Sequence, residues 1–384
     1  MSQESILSRD VSSLVEERLS VATQRQLMWW RFKRHRLALV ALVVVALFYT
    51  AALAAEFLAT SDPREGRSAR AIVPPQPVYM FDNGAFRLHV CGVEGRRDPY
   101  TMQKLYQADC SEKIDLKFFA SGFEYKFLGL IPTDRHLFGV SDPTNYRAEE
   151  HIFLLGTDTQ GRDLYSRIIY GTRTSMTIGL VGVAVSLTLG IVLGGISGFF
   201  GGVIDNAIQR VIEVIRSIPT IPLWMGLAAA VPADWSITQL YFAVTIIVSL
   251  FAWTDLARVV RGRFLAMREE DFVTAAIVAG ANWQDVIFRH MVPSFYSHLI
   301  ASATLAIPFM IISETALSFL GLGLRPPAIS WGVLLQAAQN VQAIALTPWL
   351  MFPAVPVVVA ILALNFMGDG LRDAADPYST VESG

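Results

Sequence analysis

The sequence predicts an all-α polytopic membrane protein with six spanning helices and one small extracytoplasmic lobe between the first two. Three observations predict it. Of the 384 residues, 53% are hydrophobic and the mean hydropathy is +0.43, more apolar than a soluble domain of this length sustains. Apolar runs recur at about the 20-residue length that crosses a hydrocarbon core. Basic residues crowd some connections between these runs and are sparse in others, which is the pattern of a chain threaded across a membrane.

The spans are expected near 37–59, 173–198, 209–230, 238–258, 294–320 and 349–368. A basic stretch, Arg31-Phe32-Lys33-Arg34-His35-Arg36, precedes the first, and Trp29 and Trp30 suit an interfacial anchor. That run is as long as a bilayer core is thick, so it reads as a retained span rather than a signal peptide. The positive charges of Arg258, Arg261, Arg263, Arg268 and Arg289 fall between spans four and five, whereas 231–237 has no Lys or Arg and 321–348 only Arg325. This puts both termini in the cytoplasm. The resulting segments are a cytoplasmic N-terminal segment 1–36, a first span 37–59, an extracytoplasmic lobe 60–165, a core 166–370 with a cytoplasmic loop 262–293, and a cytoplasmic tail 371–384.

The lobe holds short apolar runs, 86–91 and 125–131, between turn signals such as Pro74-Pro75 and Asp82-Asn83-Gly84, and is expected to be mixed α/β or mainly β. Both cysteines, Cys91 and Cys110, fall in it, on the oxidising side of the membrane. They either form a disulfide closing a loop of about 20 residues or remain two buried thiols. Two cysteines exclude a multi-cysteine metal framework, and a net charge of −2 gives no nucleic-acid footprint. The six histidines form no metal-ligand set, Glu149-Glu150-His151 being a loop cluster.

In span two, Gly182, Ser186, Gly190, Gly194, Gly198 and Gly202 recur every four residues. On a helix they make one stripe of small side chains that lets another helix approach closely in lipid. Glu314 lies inside span five, where a buried acid is a pathway candidate or a helix-to-helix hydrogen-bonding group. Asp205, Arg210, Glu213 and Arg216, and likewise Asp255 and Arg258, read as paired structural charges at span ends.

The stretch from Glu269 to Pro293 predicts two short helices with a turn at Gly280. Acidic residues at 269–271 suit a helix N-terminus and Gly280 a left-handed C-terminal position. Ala275 and Ala276 keep the surface shallow, Phe272 offers an apolar anchor, and Pro293 ends the connection. Ala275, Ala276, Gly280 and Pro293 have the spacing of the EAA loop, so the stretch resembles that loop of ABC importer permeases. Thr274 stands where the motif has Glu, His290 where it has Ile, and Val292 where it has Leu. Four more stretches resemble dipeptide and oligopeptide permeases: Leu155–Asp163 with Ser166–Gly171, Glu314–Gly323, Pro326–Gly332, and Asn365–Asp373 with Asp376-Pro377. The resemblance covers roughly 150–378 and the first span, and is to the C-type permease of the peptide/nickel importer family.

That resemblance implies the type I ABC importer permease fold. It implies a second homologous permease subunit, two ATP-binding cassette ATPases that bind ATP-Mg, and a periplasmic solute-binding protein as partners in a bacterial inner membrane. It also implies Asp271, Phe272, Thr274, Ala275, Ala276 and Gly280 as the ATPase-coupling surface, with Pro293 closing the loop. No Gly-Lys pair and hence no Walker A loop occurs, so no catalytic residue, cofactor or metal is expected in this chain. Peptides are the expected cargo, with oligosaccharides, opines or nickel as alternatives. An ion-coupled secondary transporter would call for inverted repeats and midplane ion ligands, of which only Glu314 is a candidate. A non-transporting membrane scaffold would need no coupling loop.

Overall fold

The computed structural model describes residues 23–82, 84–97, 99–100, 104–232 and 234–375; residues 1–22 and the Asp376-Pro377 pair lie outside that range. The first helix among the described residues is α1 (Gln24–Arg34), where Thr23 and Gln26 cap each other's backbone amides. His35 interrupts the helix, and its Nδ1 accepts from the Ala38 amide to start α2 (Arg36–Leu53), the first span. A turn at Ala54 leads to the short α3 (Ala55–Leu58).

The lobe that follows is an antiparallel meander of β1 (Val78–Asp82), β2 (Ala85–Arg97), β3 (Lys104–Phe127) and β4 (Ile131–Val140), in that spatial order. Long β3 serves two neighbours in succession. Its first half runs against β2, with Lys104 opposite Arg97, and its second half against β4, with Phe127 opposite Ile131. Val90, Ile114, Leu116 and Val140 form a small core with Ala148 and Ile152, which flank the turn of α4 (Ala148–His151). Cys91 and Cys110 are joined by a disulfide that bridges β2 and β3 at the register shift after Cys91.

A polar knot fastens the lobe to the helices. Thr157 Oγ1 donates to the Arg70 carbonyl and accepts from the Val73 amide, while Trp349 Nε1 donates to the Thr157 carbonyl. The Asp158 carboxylate accepts from the amides of Gln160 and Arg162 and pairs with the Arg162 and Arg167 side chains. Gly161 turns at φ +74, and a Cβ there would sit 1.9 Å from the Arg67 carbonyl oxygen, so no other residue fits.

Asp163 then caps α5 (Leu164–Phe200), accepting from the Ser166 amide at 2.8 Å. After it come α6 (Gly202–Ser217), α7 (Thr220–Ala229) and α8 (Ile237–Met267). The connection to the next span holds α9 (Asp271–Val278), α10 (Trp283–Asp285), a π-helical turn Val286–Met291 and α11 (Val292–Ser294). The chain closes with α12 (Tyr296–Phe319), α13 (Trp331–Leu335), α14 (Val341–Leu346) and α15 (Ala354–Ala375). One apolar core joins α2, α5, α8, α12 and α15, with Trp331 buried at its edge.

Among the described residues, five helices are long and apolar enough to cross a membrane, or six if the pair α6 and α7 is one broken span. That pair corrects the expectation of a single helix over 209–230, because α6 and α7 meet at 87°. Pro219 is the reason: it lacks an amide donor and pushes Ile218 to extended backbone, φ −91 and ψ 130. Several edges also move. α5 starts at Leu164 rather than 173, because Asp163 supplies its cap. α8 runs to Met267, so the loop expected over 262–293 starts at Arg268. Pro293 does not end the connection: it sits within α11, where a first-turn proline is tolerated, and the break falls at Phe295. α15 continues to Ala375, so the expected tail from 371 begins as helix.

Candidate coupling interface and buried polar sites

The loop after α8 is held from within and left bare outside. Val273 is fully buried against Val260 and Phe264 of α8 and against Val286, Ile287 and Met291 of the π-helical turn. Ala276, one turn on, packs partly on the same cluster. The other faces of α9 are exposed: Asp271, Thr274 and Ala275 are open, and Phe272 and Val278 are 43% and 82% exposed. Asp271 lies in the first turn, where its negative charge suits the helix dipole.

The end of α9 follows from Gly280. At φ +86 it takes the left-handed conformation expected for it, and its amide donates to the Ile277 carbonyl. The Ala281 amide reaches back to the Ala276 carbonyl at 3.0 Å, completing a Schellman motif. Asn282 then caps the next turn by accepting from the Asp285 amide. The loop is thus a stiff two-helix projection with an exposed apolar face, a shape suited to insertion in another protein's groove.

The small-residue stripe meets α8. A Cβ at Gly190 would lie 2.8 Å from Leu256, at Gly194 2.5 Å from the Ala257 carbonyl oxygen, and at Gly198 2.5 Å from Phe264. Gly182 faces Met310 and Ser249, and Ser186 Oγ reaches the Ser249 carbonyl at 3.3 Å. Gly202 departs from the stripe. It is exposed, turns at φ +56 and begins α6, with no atom within 4 Å of its Cβ position.

Glu314 is fully buried and serves as a hub. Its Oε1 accepts from Ser330 at 2.7 Å and from Ser318 at 2.8 Å, and its Oε2 faces Ser175 at 3.4 Å. Ser175 in turn accepts from the Trp331 amide. The carboxyl therefore ties α5, α12 and the cap of α13 together.

The charges at span ends pair over longer distances than the sequence indicates. Arg210 does pair with Glu213, but Asp205 binds Arg261 of α8 through two contacts of 2.5 Å and also accepts from Ser197. Asp255 pairs with Arg216 rather than with Arg258. Arg173 was not legible as a site: it donates to Glu56 and to the Ala52 and Leu53 carbonyls, capping the end of α2. Its partners lie more than a hundred residues away, beyond any local pattern.

The sequence is similar to those of known proteins. Residues 190–379 match the family described as binding-protein-dependent transport system inner membrane component, and residues 23–75 match the N-terminal TM domain of oligopeptide transport permease C. The lobe lies between the two matched segments. The oligopeptide transport system permease protein OppC of Haemophilus influenzae is 39% identical over 230 residues, 59% of this chain and 70% of that protein. OppC of Bacillus subtilis is 34% identical over 231 residues, 60% of this chain and 72% of that protein. The glutathione transport system permease protein GsiD of Pectobacterium atrosepticum is 36% identical over 224 residues, 58% of this chain and 72% of that protein. The chain therefore belongs to the permease family of binding-protein-dependent ABC transport systems, with the domain make-up of oligopeptide permease C.

Proposed function

We propose that this chain is one of two non-identical membrane subunits of an ATP-driven importer, and that it carries peptides handed over by a periplasmic binding protein. The observation that carries the reading is α9, anchored beneath by Val273 while Phe272, Thr274, Ala275 and Val278 stand clear for a partner. An ATPase groove closing over this projection would shift the helices beneath it, and ATP binding would favour one of two packings. The chain itself is non-catalytic, and ATP-Mg belongs to the partner ATPases. Basic residues around the α8–α12 connection support a cytoplasmic loop, cytoplasmic termini and an outward-facing lobe in a bacterial inner membrane. Relatives named for oligopeptide and glutathione transport support peptide cargo.

Purification of the tagged chain from native membranes in mild detergent, followed by mass spectrometry, tests this. A second permease, two ATPases and a binding protein with bound peptide are the expected companions. Recovery without any ATPase would sink the coupling role. A binding protein loaded with sugar or metal would overturn the cargo.

A further inference from the structure

Two ion pairs join the same two helices, α6 and α8, and they are built differently. Asp205–Arg261 is a clamp: two contacts, a further hydrogen bond from Ser197, and a carboxylate only 11% exposed. Arg216–Asp255 is a single contact between side chains that are 40% and 75% exposed. Both its members lie in segments apolar enough to cross a membrane. Asp255 is 18 residues into α8, about 27 Å along the axis at 1.5 Å per residue, which puts it near the far edge of a hydrocarbon core of about 30 Å. A charge that open just inside the core is unfavourable against lipid and is expected to face water or a cavity.

Asp255 does border two. One, of about 190 Å³, opens between α5, α8 and α12 and includes Ser186 and Ser302. The other, of about 260 Å³, lies at the α6–α7 break and includes Arg216, Thr220 and Thr254. The two cavities share Ala252 and Asp255, so the ion pair stands between them beside the bend at Pro219.

We infer that Arg216 and Asp255 form a charged site on the solute path, specific for zwitterionic solutes. The reading rests on the importer function proposed above. Opening the pair frees one carboxylate and one guanidinium toward the same space. A solute with an ammonium and a carboxylate satisfies both, the ammonium on Asp255 and the carboxylate on Arg216. A neutral solute offers neither group a charged partner, forgoes both contacts and is disfavoured. Exchange of one ion pairing for another lets the solute enter without a deep well, so that it can leave again.

The test uses the assembled importer in membrane vesicles. Cys91 and Cys110 are the chain's only cysteines and are bonded to each other, so Asp255→Cys introduces the one free thiol of this subunit. With Arg216 left unpaired, the anionic sulfonatoethyl methanethiosulfonate is expected to label it about tenfold faster than the cationic trimethylammonioethyl reagent. Adding Arg216→Gln should remove that preference. Ala257→Cys, at a fully buried position, is the unreactive control. Labelling no faster than this control, or without charge preference, overturns the proposal. In parallel, Asp255→Asn and Arg216→Gln should each slow ATP-driven uptake of trialanine about tenfold per importer recovered, the loss of one hydrogen bond to a charged group. Unchanged uptake also overturns it. Charge-selective labelling in an importer that takes up no trialanine would reject the peptide cargo while supporting the charged path.

Discussion

Ser330 donates its hydroxyl to Glu314 Oε1 at 2.7 Å, and both residues are fully shielded from solvent. Ser318 shares that oxygen, so one carboxyl is the acceptor for groups on α12 and on the cap of α13. Removing the acceptor leaves buried hydroxyls unsatisfied, at about 1–3 kcal/mol each. Glu314→Leu is therefore expected to lower the melting temperature of the detergent-purified complex by several degrees, at about 2–4 °C per kcal/mol. Glu314→Gln keeps a carbonyl oxygen in place and should melt close to the unmodified protein. If Gln is as harmful as Leu, the charge rather than the hydrogen bonding holds the site.

The α5–α8 contact makes a second, sharper prediction. A Cβ on Gly194 would sit 2.5 Å from a backbone oxygen that cannot rotate away, that of Ala257. Gly194→Ala is expected to force the two helices apart, costing about 1–3 kcal/mol as overpacking does elsewhere. Gly226→Ala has open space around its Cβ and serves as the comparison. Thermal unfolding of both variants decides the matter: equal melting temperatures would show that the stripe does not set the helix spacing.

Much of this architecture was legible because lipid and chain geometry constrain the sequence directly. Span-length apolar runs marked α2, α5, α8, α12 and α15, and the four-residue spacing from Gly182 to Gly198 marked the face that meets α8. Gly280 marked the end of α9 through backbone geometry alone. Gly202 misled because it continues the period while its backbone has already turned into α6. Pro219 was visible in the sequence, but its apolar flanks hid the 87° bend it produces. The partners of Asp205, Asp255 and Arg173 were illegible, since each ion pair joins helices whose neighbours are fixed only by packing.

The lobe carries a pH prediction. In β1, Asp82 accepts from Lys113 Nζ at 2.7 Å and from Arg87 at 3.1 Å. The Lys113 hydrogen bond, with help from both cations' charge, holds the carboxyl below its ordinary value of 3.8. A depressed folded pKa means that the stabilisation is full above that ordinary value and fades as pH falls through the lower folded one. Asp82→Asn should thus speed amide exchange of the β1–β2 hairpin at neutral pH, and the difference should close once the medium is acid enough to protonate Asp82. A difference that persists unchanged in acid would mean that the pair contributes nothing through its charge.

The coupling role proposed for the α9 loop can be tested by separating backbone from side-chain effects. Gly280→Val places a β-branched residue at φ +86, a strained conformation costing about 1–3 kcal/mol, although its Cβ would strike nothing. The loss would fall on the Schellman turn and so on the orientation of α9, not on the membrane helices. Phe272→Ala leaves the backbone intact and removes only an exposed ring. Both variants are expected to insert and to pair with the second permease. Gly280→Val should retain ATPases weakly and lose the rise in ATP hydrolysis caused by loaded binding protein. Phe272→Ala should lower ATPase recovery in pull-downs, with the loop's amide exchange unchanged. Full stimulation in both would mean that the ATPases grip this subunit somewhere other than α9.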